Sequence, residues 1–174
     1  MTPPMTYRKW NRLPAKVEII IDTNEQREWR FPATTYVYAP RCPNRRDLVQ
    51  ITTRRESLRE LGADYAVFHG DFLVTGVERK GSASEVAKNM LTCDFRRTKA
   101  SLTRLSACKA RSWLIFDFAY PVDADGQAAC AAMTQLAGDL DLYVMWLHSR
   151  PPGIGAGRIV ADLLLATYAD YLGA

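Results

Sequence analysis

Gly70-Asp71-Phe72-Leu73-Val74-Thr75-Gly76-Val77-Glu78-Arg79-Lys80 gathers two carboxylates and an ammonium in one short stretch. Two short runs, 72–74 and 77–80, flank Thr75-Gly76, a pattern that predicts a hairpin. Strand alternation puts Glu78 and Lys80 on one face, and a tight turn folds that face back over Asp71. Like charges held this close repel unless a cation neutralises them. A hard divalent ion such as Mg²⁺ does so through carboxylate oxygens. It also polarises a phosphodiester and lowers the pKa of its bound water. Lys80 would orient that water or stabilise charge developing at phosphorus. The bland alternative for the same residues is an exposed, salt-bridged strand pair. Asp22-Thr23-Asn24-Glu25-Gln26 follows an apolar run at 17–21, and α/β proteins place functional groups at such strand ends. Asp22 and Glu25 are therefore candidate supporting carboxylates from a neighbouring strand.

These groups need a scaffold. Strands are expected at 17–21, 65–68, 113–118 and 142–147, from β-branched and aromatic runs. Helices are expected at 53–61, from Ser82 or Ser84 to about 90, at 94–109, at 123–137 and from Gly157 or Arg158 to 172. Three prolines make 23–52 an irregular basic excursion, with a short strand at 36–38 or 48–51. Strands alternating with helices, plus a hairpin, give an α/β layer fold with a mixed sheet. The helix at 94–109 is amphipathic and basic, with Arg96, Arg97, Lys99, Arg104 and Lys109. It is either a solvated face or a phosphate track beside the site. In the last helix, Ile159, Leu163, Ala166 and Tyr168 are the expected core. Its further apolar residues suggest burial by a second subunit.

The chain has 174 residues, with 23 Lys plus Arg against 19 Asp plus Glu, a net charge of +4. That mild excess permits a polyanionic partner without demanding one. At 48% apolar and 24% charged residues, the composition is globular. No apolar run is long enough to span a bilayer, and residues 1–10 lack a secretory pattern. Cys42, Cys93, Cys108 and Cys130 are scattered, which argues against a zinc site and for a reducing, cytoplasmic setting. Residues 1–15 read as a flexible lead-in and 16–174 as a single domain.

Ile20-Ile21-Asp22-Thr23-Asn24-Glu25-Gln26, Gly70-Asp71 and Val77-Glu78-Arg79-Lys80 together resemble the nuclease domain of the XPF family of structure-specific endonucleases. That family is a branch of the PD-(D/E)XK restriction-endonuclease-like superfamily. Its pattern is G-D, a variable gap, E-R-K, three residues and D; Ser84 stands where the last acid falls, with Glu85 beside it. Asn24 stands where an arginine is usual. The resemblance implies a three-layer α/β/α fold around a central mixed sheet and a Mg²⁺- or Mn²⁺-dependent DNA endonuclease. Asp71 and Glu78 would bind metal with the Arg79 carbonyl, Lys80 would be the catalytic lysine, and Asp22 and Glu25 would support them. Arg97, Lys99 and Arg104 would meet DNA, and Arg79 would be a structural or phosphate-facing partner. Branched or flapped substrates are implied, in repair, recombination or phage DNA processing. So is a minimal bacterial or phage form that acts as a homodimer or with a partner bearing helix-hairpin-helix motifs. A catalytically silent DNA- or partner-binding relative and a restriction- or defence-type nuclease are the competing readings.

Overall fold

The computed structural model describes residues 13–39, 42–147 and 154–173. A central seven-stranded sheet has the order β2-β3-β1-β4-β5-β6-β7. Its strands are β1 (Lys16–Asp22), β2 (Thr34–Ala39), β3 (Cys42–Glu56), β4 (Tyr65–His69), β5 (Phe72–Lys80), β6 (Trp113–Phe116) and β7 (Tyr143–Trp146). The helices are α1 (Ala83–Leu91), α2 (Phe95–Ser106), α3 (Ala124–Asp139) and α4 (Ile154–Leu172), with a 3₁₀ turn at Arg59–Leu61. β1 runs parallel to β3 and antiparallel to β4, β4 antiparallel to β5, and β5, β6 and β7 parallel to one another. The ends of β1, β3, β5, β6 and β7 therefore share one edge of the sheet, together with the start of β4.

Strand alternation divides the core into two layers. Ile19 and Ile21 of β1 pack with Val160, Leu164 and Leu165 of α4. Ile20, between them, packs on the other face with Val86 of α1, Leu102 and Leu105 of α2 and Met133 of α3. The result is the expected three-layer α/β/α arrangement around a mixed sheet, with a restriction-endonuclease-like topology.

Several expectations change. Residues 72–80 form one strand, not a hairpin about Thr75-Gly76; the hairpin partner of β5 is β4. Gly76 is small because a Cβ there would lie 2.8 Å from Leu105 Cδ1, so it admits α2 and makes no turn. The stretch 23–52 holds a β2–β3 hairpin that includes both candidate strands, 36–38 and 48–51. Residues 53–56 continue β3 instead of starting a helix, because they pair with Ile19 to Asp22 of β1. In α4 the buried face is Val160, Ala161, Leu164, Leu165, Tyr168 and Ala169, while Ile159 is 44% exposed and Ala166 faces solvent. The expected lead-in lies mostly outside the described residues, although Leu13 is buried in the core.

Candidate active site

Asp64 is the carboxylate that the fold sets against Glu78. It precedes β4, and the Tyr65–Val77 pair of the β4–β5 ladder places it across from Glu78, one step further along. Its position is fixed from both sides: the Asp22 N–H donates to the Asp64 carbonyl at 2.8 Å, and the Asp64 N–H donates to the Val77 carbonyl at 2.8 Å. Asp64 Oδ2 accepts the Arg79 N–H at 2.7 Å. On β5, Glu78 and Lys80 share a face as alternation requires, with Lys80 Nζ donating to Glu78 Oε1 at 2.7 Å.

Glu85 completes this group. Ser82 caps α1 by accepting the Glu85 N–H at 3.1 Å, which holds Glu85 in the first helical turn. Its carboxylate accepts from Lys80 Nζ at 3.3 Å through Oε1 and from the Gly81 N–H at 3.0 Å through Oε2. The acid absent at Ser84 is thus supplied one position later, because the helix turns Glu85 back over the strand end.

Burial works against charge at these acids. It raises the Asp64 carboxyl well above the usual range, and the neighbouring Glu78 raises it further. Burial also raises Glu78, although the Lys80 ammonium pulls the other way. Burial alone would lower Lys80; the Glu78 and Glu85 carboxylates outweigh it and raise Lys80 above its ordinary value. Two carboxyls raised by burial and a lysine raised by its carboxylate neighbours thus lie at one strand end, a pattern common at functional sites.

Asp71 is not part of this group. It sits in the turn between β4 and β5, at the opposite end of β5. Strand rise separates it from Glu78 by about 20 Å. It is exposed and lines a different cleft, with Lys16, Glu18 and Arg54. Only a β5 folded on itself would bring Asp71 to Glu78; the β4–β5 hairpin brings Asp64 there instead.

Asp22 lies at the site's edge, but both its carboxylate oxygens are engaged by backbone. Oδ1 accepts the Leu58 N–H at 2.7 Å and Oδ2 the Asn24 N–H at 3.1 Å. These bonds shape the turn after β1 and anchor the 3₁₀ turn. Glu25 Oε1 accepts the Arg27 N–H at 2.7 Å and pairs with Arg79 at 3.4 Å. The Arg79 side chain points to the other face of β5, where it meets Asp117 at 2.6 Å, the Arg27 carbonyl and the Trp29 ring. Trp29 also donates from Nε1 to Asp117 at 2.9 Å and stacks on Tyr65 at 4.7 Å. With 8% of its side chain exposed, Arg79 is an internal strut and not a phosphate contact.

A cleft of about 720 Å³ is lined by Asp64, Glu78, Lys80 and Glu85 and also by Arg59, Glu60, Arg97 and Arg104. Arg97, Ser101 and Arg104 are spaced four and three apart, so one face of α2 lines the cleft. Lys99 is exposed and lies about 200° around the helix from Arg97, away from the cleft. Arg59, on the 3₁₀ turn, had no periodic signal in the sequence. The turn and α2 are closely joined: a Cβ on Gly62, whose φ is +68°, would lie 2.2 Å from the Ser101 carbonyl oxygen. A second cleft, about 460 Å³, reaches Asp64, Glu78 and Glu85 from the side of Asn24 and Ser82.

The donor set suits a hard cation. Among the described residues, no three acidic, histidine or cysteine side chains are gathered closely enough to enclose an ion. Two half-buried, mutually repelling carboxylates are nevertheless what Mg²⁺ uses when it keeps several waters and takes further ligands from substrate phosphates. Among the described residues, no helix is long and apolar enough to cross a membrane.

No protein-family model matches the chain, and no curated protein matches it in sequence. Among solved structures it is similar to XPF from Aeropyrum pernix, with a TM-score of 0.52 and 18% identity over 88% of this chain. The chain spans 65% of the length of that protein, and the likeness shows a shared fold.

Proposed function

We propose that this chain is a divalent-metal-dependent DNA endonuclease acting at the Asp64–Glu78–Lys80 cluster. The observation that carries the reading is one cleft lined by acids, a lysine and arginines together. Half-buried Asp64 and Glu78 and the Lys80 ammonium lie at the strand end, and Arg59, Arg97 and Arg104 line the same cleft. The arginines would hold backbone phosphates on either side of a scissile bond. Asp64 and Glu78 would hold a Mg²⁺ or Mn²⁺ ion, with the Arg79 carbonyl beside them. The bound ion would supply Lewis-acid polarisation and a nucleophilic water at neutral pH. Glu85 and Glu78 keep the Lys80 ammonium charged and aimed into the cleft. There it orients the attacking water and stabilises negative charge as it builds on the phosphate oxygens. Asp22 and Glu25 act through the backbone of the 22–27 turn, as positioning residues.

The XPF-like fold supports branched or flapped DNA as the substrate class. Homodimerisation, or pairing with a helix-hairpin-helix protein, would supply the grip on such DNA, and cytoplasmic DNA processing fits the scattered cysteines. The competing reading, a silent DNA-binding module, is favoured by one observation: Glu78 and Glu85 already engage Lys80. A nuclease assay on single-stranded, duplex, flap and junction DNA with Mg²⁺, Mn²⁺, Ca²⁺ and EDTA decides between them. The nuclease reading expects Mg²⁺-dependent cleavage that Glu78→Gln abolishes. Binding in Ca²⁺ with no cleavage of any substrate in Mg²⁺ or Mn²⁺ would establish the silent module.

A further inference from the structure

The β2–β3 hairpin leaves one face of the sheet without a helical cover. β3 starts well before β1, whose Lys16 first meets Gln50, so the hairpin projects past the rest of the sheet. On the α4 side its Val37 and Val49 are buried. The opposite face is open, and among the described residues the core beneath α1–α3 takes no buried residue from β2 or β3. That open face carries Tyr36 and Tyr38, 49% and 58% exposed, and Leu48, 55% exposed. Tyr38 pairs across the ladder with Arg46 and Tyr36 with Leu48. The Arg46 guanidinium stands 4.8 Å over the Tyr36 ring. Lys16, beside Gln50 in the next row, is a second cation, which shares a cleft with Glu18, Glu56 and Asp71. No acid shares these three rows; the first is Glu18, already bonded to Arg54 at 3.1 Å.

We propose that this face is a stacking platform for single-stranded nucleic acid. Tyr36 and Tyr38 lie two residues apart on one strand, about 7 Å, a spacing that successive splayed bases can match. Aromatic rings accept any base through its π-face, and adjacent cations take the backbone. An uncharged protein segment would complement the rings but bring no counter-charge to the Arg46 guanidinium stacked over Tyr36, so the pairing of rings with an arginine favours a polyanion. The platform lies on the same side of the sheet as the metal-site cleft. It rests on the nucleic-acid reading above for its biological sense, but binding here needs neither metal nor catalysis.

The test uses the full chain in EDTA, with fluorescence anisotropy of labelled oligo-dT and of a duplex. The variants are Tyr36→Thr with Tyr38→Thr, which keeps β-propensity, and Arg46→Gln. The double variant should lose oligo-dT affinity by roughly tenfold per ring while duplex affinity and melting temperature hold. Arg46→Gln should lower the single-strand salt slope by about 0.7. Unchanged oligo-dT affinity in the folded double variant would overturn the proposal. So would a parent dimer that the double variant turns into a monomer without loss of single-strand affinity, which would make the face an interface between copies. Loss of cleavage in Glu78→Gln is read separately, so either proposal can fail while the other stands.

Discussion

Asp64→Asn separates the two candidate acids, and its effects on activity and on stability run in opposite directions. With Glu78 about 5 Å across the ladder, an effective dielectric of about 20 gives roughly 3 kcal/mol of repulsion between the two charges. The Lys80 ammonium offsets part of it, leaving on the order of 1–2 kcal/mol. Asparagine keeps an oxygen to accept the Arg79 N–H and removes the buried charge. In EDTA at pH 8, Asp64→Asn should therefore melt above the parent by about 2–8 °C. The sign in pH follows from the raised carboxyls of Asp64 and Glu78. A folded-state pKa above the unfolded value favours the native state most when the group is protonated. That contribution is lost as pH rises through the folded-state pKa, so the parent should gain on the variant as pH falls from 8 toward 5. In Mg²⁺ the same variant should lose cleavage by about 100-fold or more, the scale for removing one electrostatic stabiliser of a transition state. Asp71→Asn, at the far end of β5, should change neither. Thermal melts with and without Mg²⁺, run beside a flap-cleavage assay, read both effects. A destabilised Asp64→Asn that still cleaves, or an inactive Asp71→Asn, would refute the reasoning.

Lys80→Ala should abolish cleavage and lower metal-free stability by about 3 kcal/mol, measured by urea unfolding, because it strips a buried carboxylate of its partner. Arg59→Gln, Arg97→Gln and Arg104→Gln should each reduce the salt slope of duplex binding by about 0.9, whereas Lys99→Gln should leave it unchanged; anisotropy titrations across salt concentrations check this. Gly76→Ala should cost about 1–3 kcal/mol by pressing on Leu105, and Gly62→Ala more, since its Cβ meets backbone at a left-handed residue; both are read by thermal melts.

Glu78 and Lys80 were legible because alternation on a strand is local, and a helix start at Ser82 or Ser84 was visible for the same reason; the structure selects Ser82 as the cap. The partner of Glu78 was not. Gly62-Ala63-Asp64 and Gly70-Asp71 both offer an acid just past a glycine, and only the hairpin register separates them. Gly76 misled that choice, since a glycine that admits a helix and one that turns a chain look alike in sequence. In α4, apolar residues occur nearly all round, so periodicity could not set the phase; Ile159, expected inside, faces out. Thr53 to Leu61 read as a short helix stopped by Gly62, but pairing of Thr53 to Glu56 with β1 overrides that weak preference. Arg59 joined the cleft only through the packing of the 3₁₀ turn on α2.

These misses locate where the site's chemistry is specified. Glu78, Lys80 and the Arg79 strut come from consecutive residues of one strand, so β5 presents them to opposite faces without help. Asp64, Glu85 and Arg59 come from three separate connections. Each is held by backbone-level constraints: the carbonyl and N–H pairs around Asp64, the Ser82 cap for Glu85, and the Gly62–Ser101 contact beside Arg59. The clustered acids repel each other, and the fold restrains that repulsion with short polar contacts to main chain. Those contacts persist when a side chain changes, which is why Asp64→Asn is expected to stay folded and lose activity, instead of losing both together.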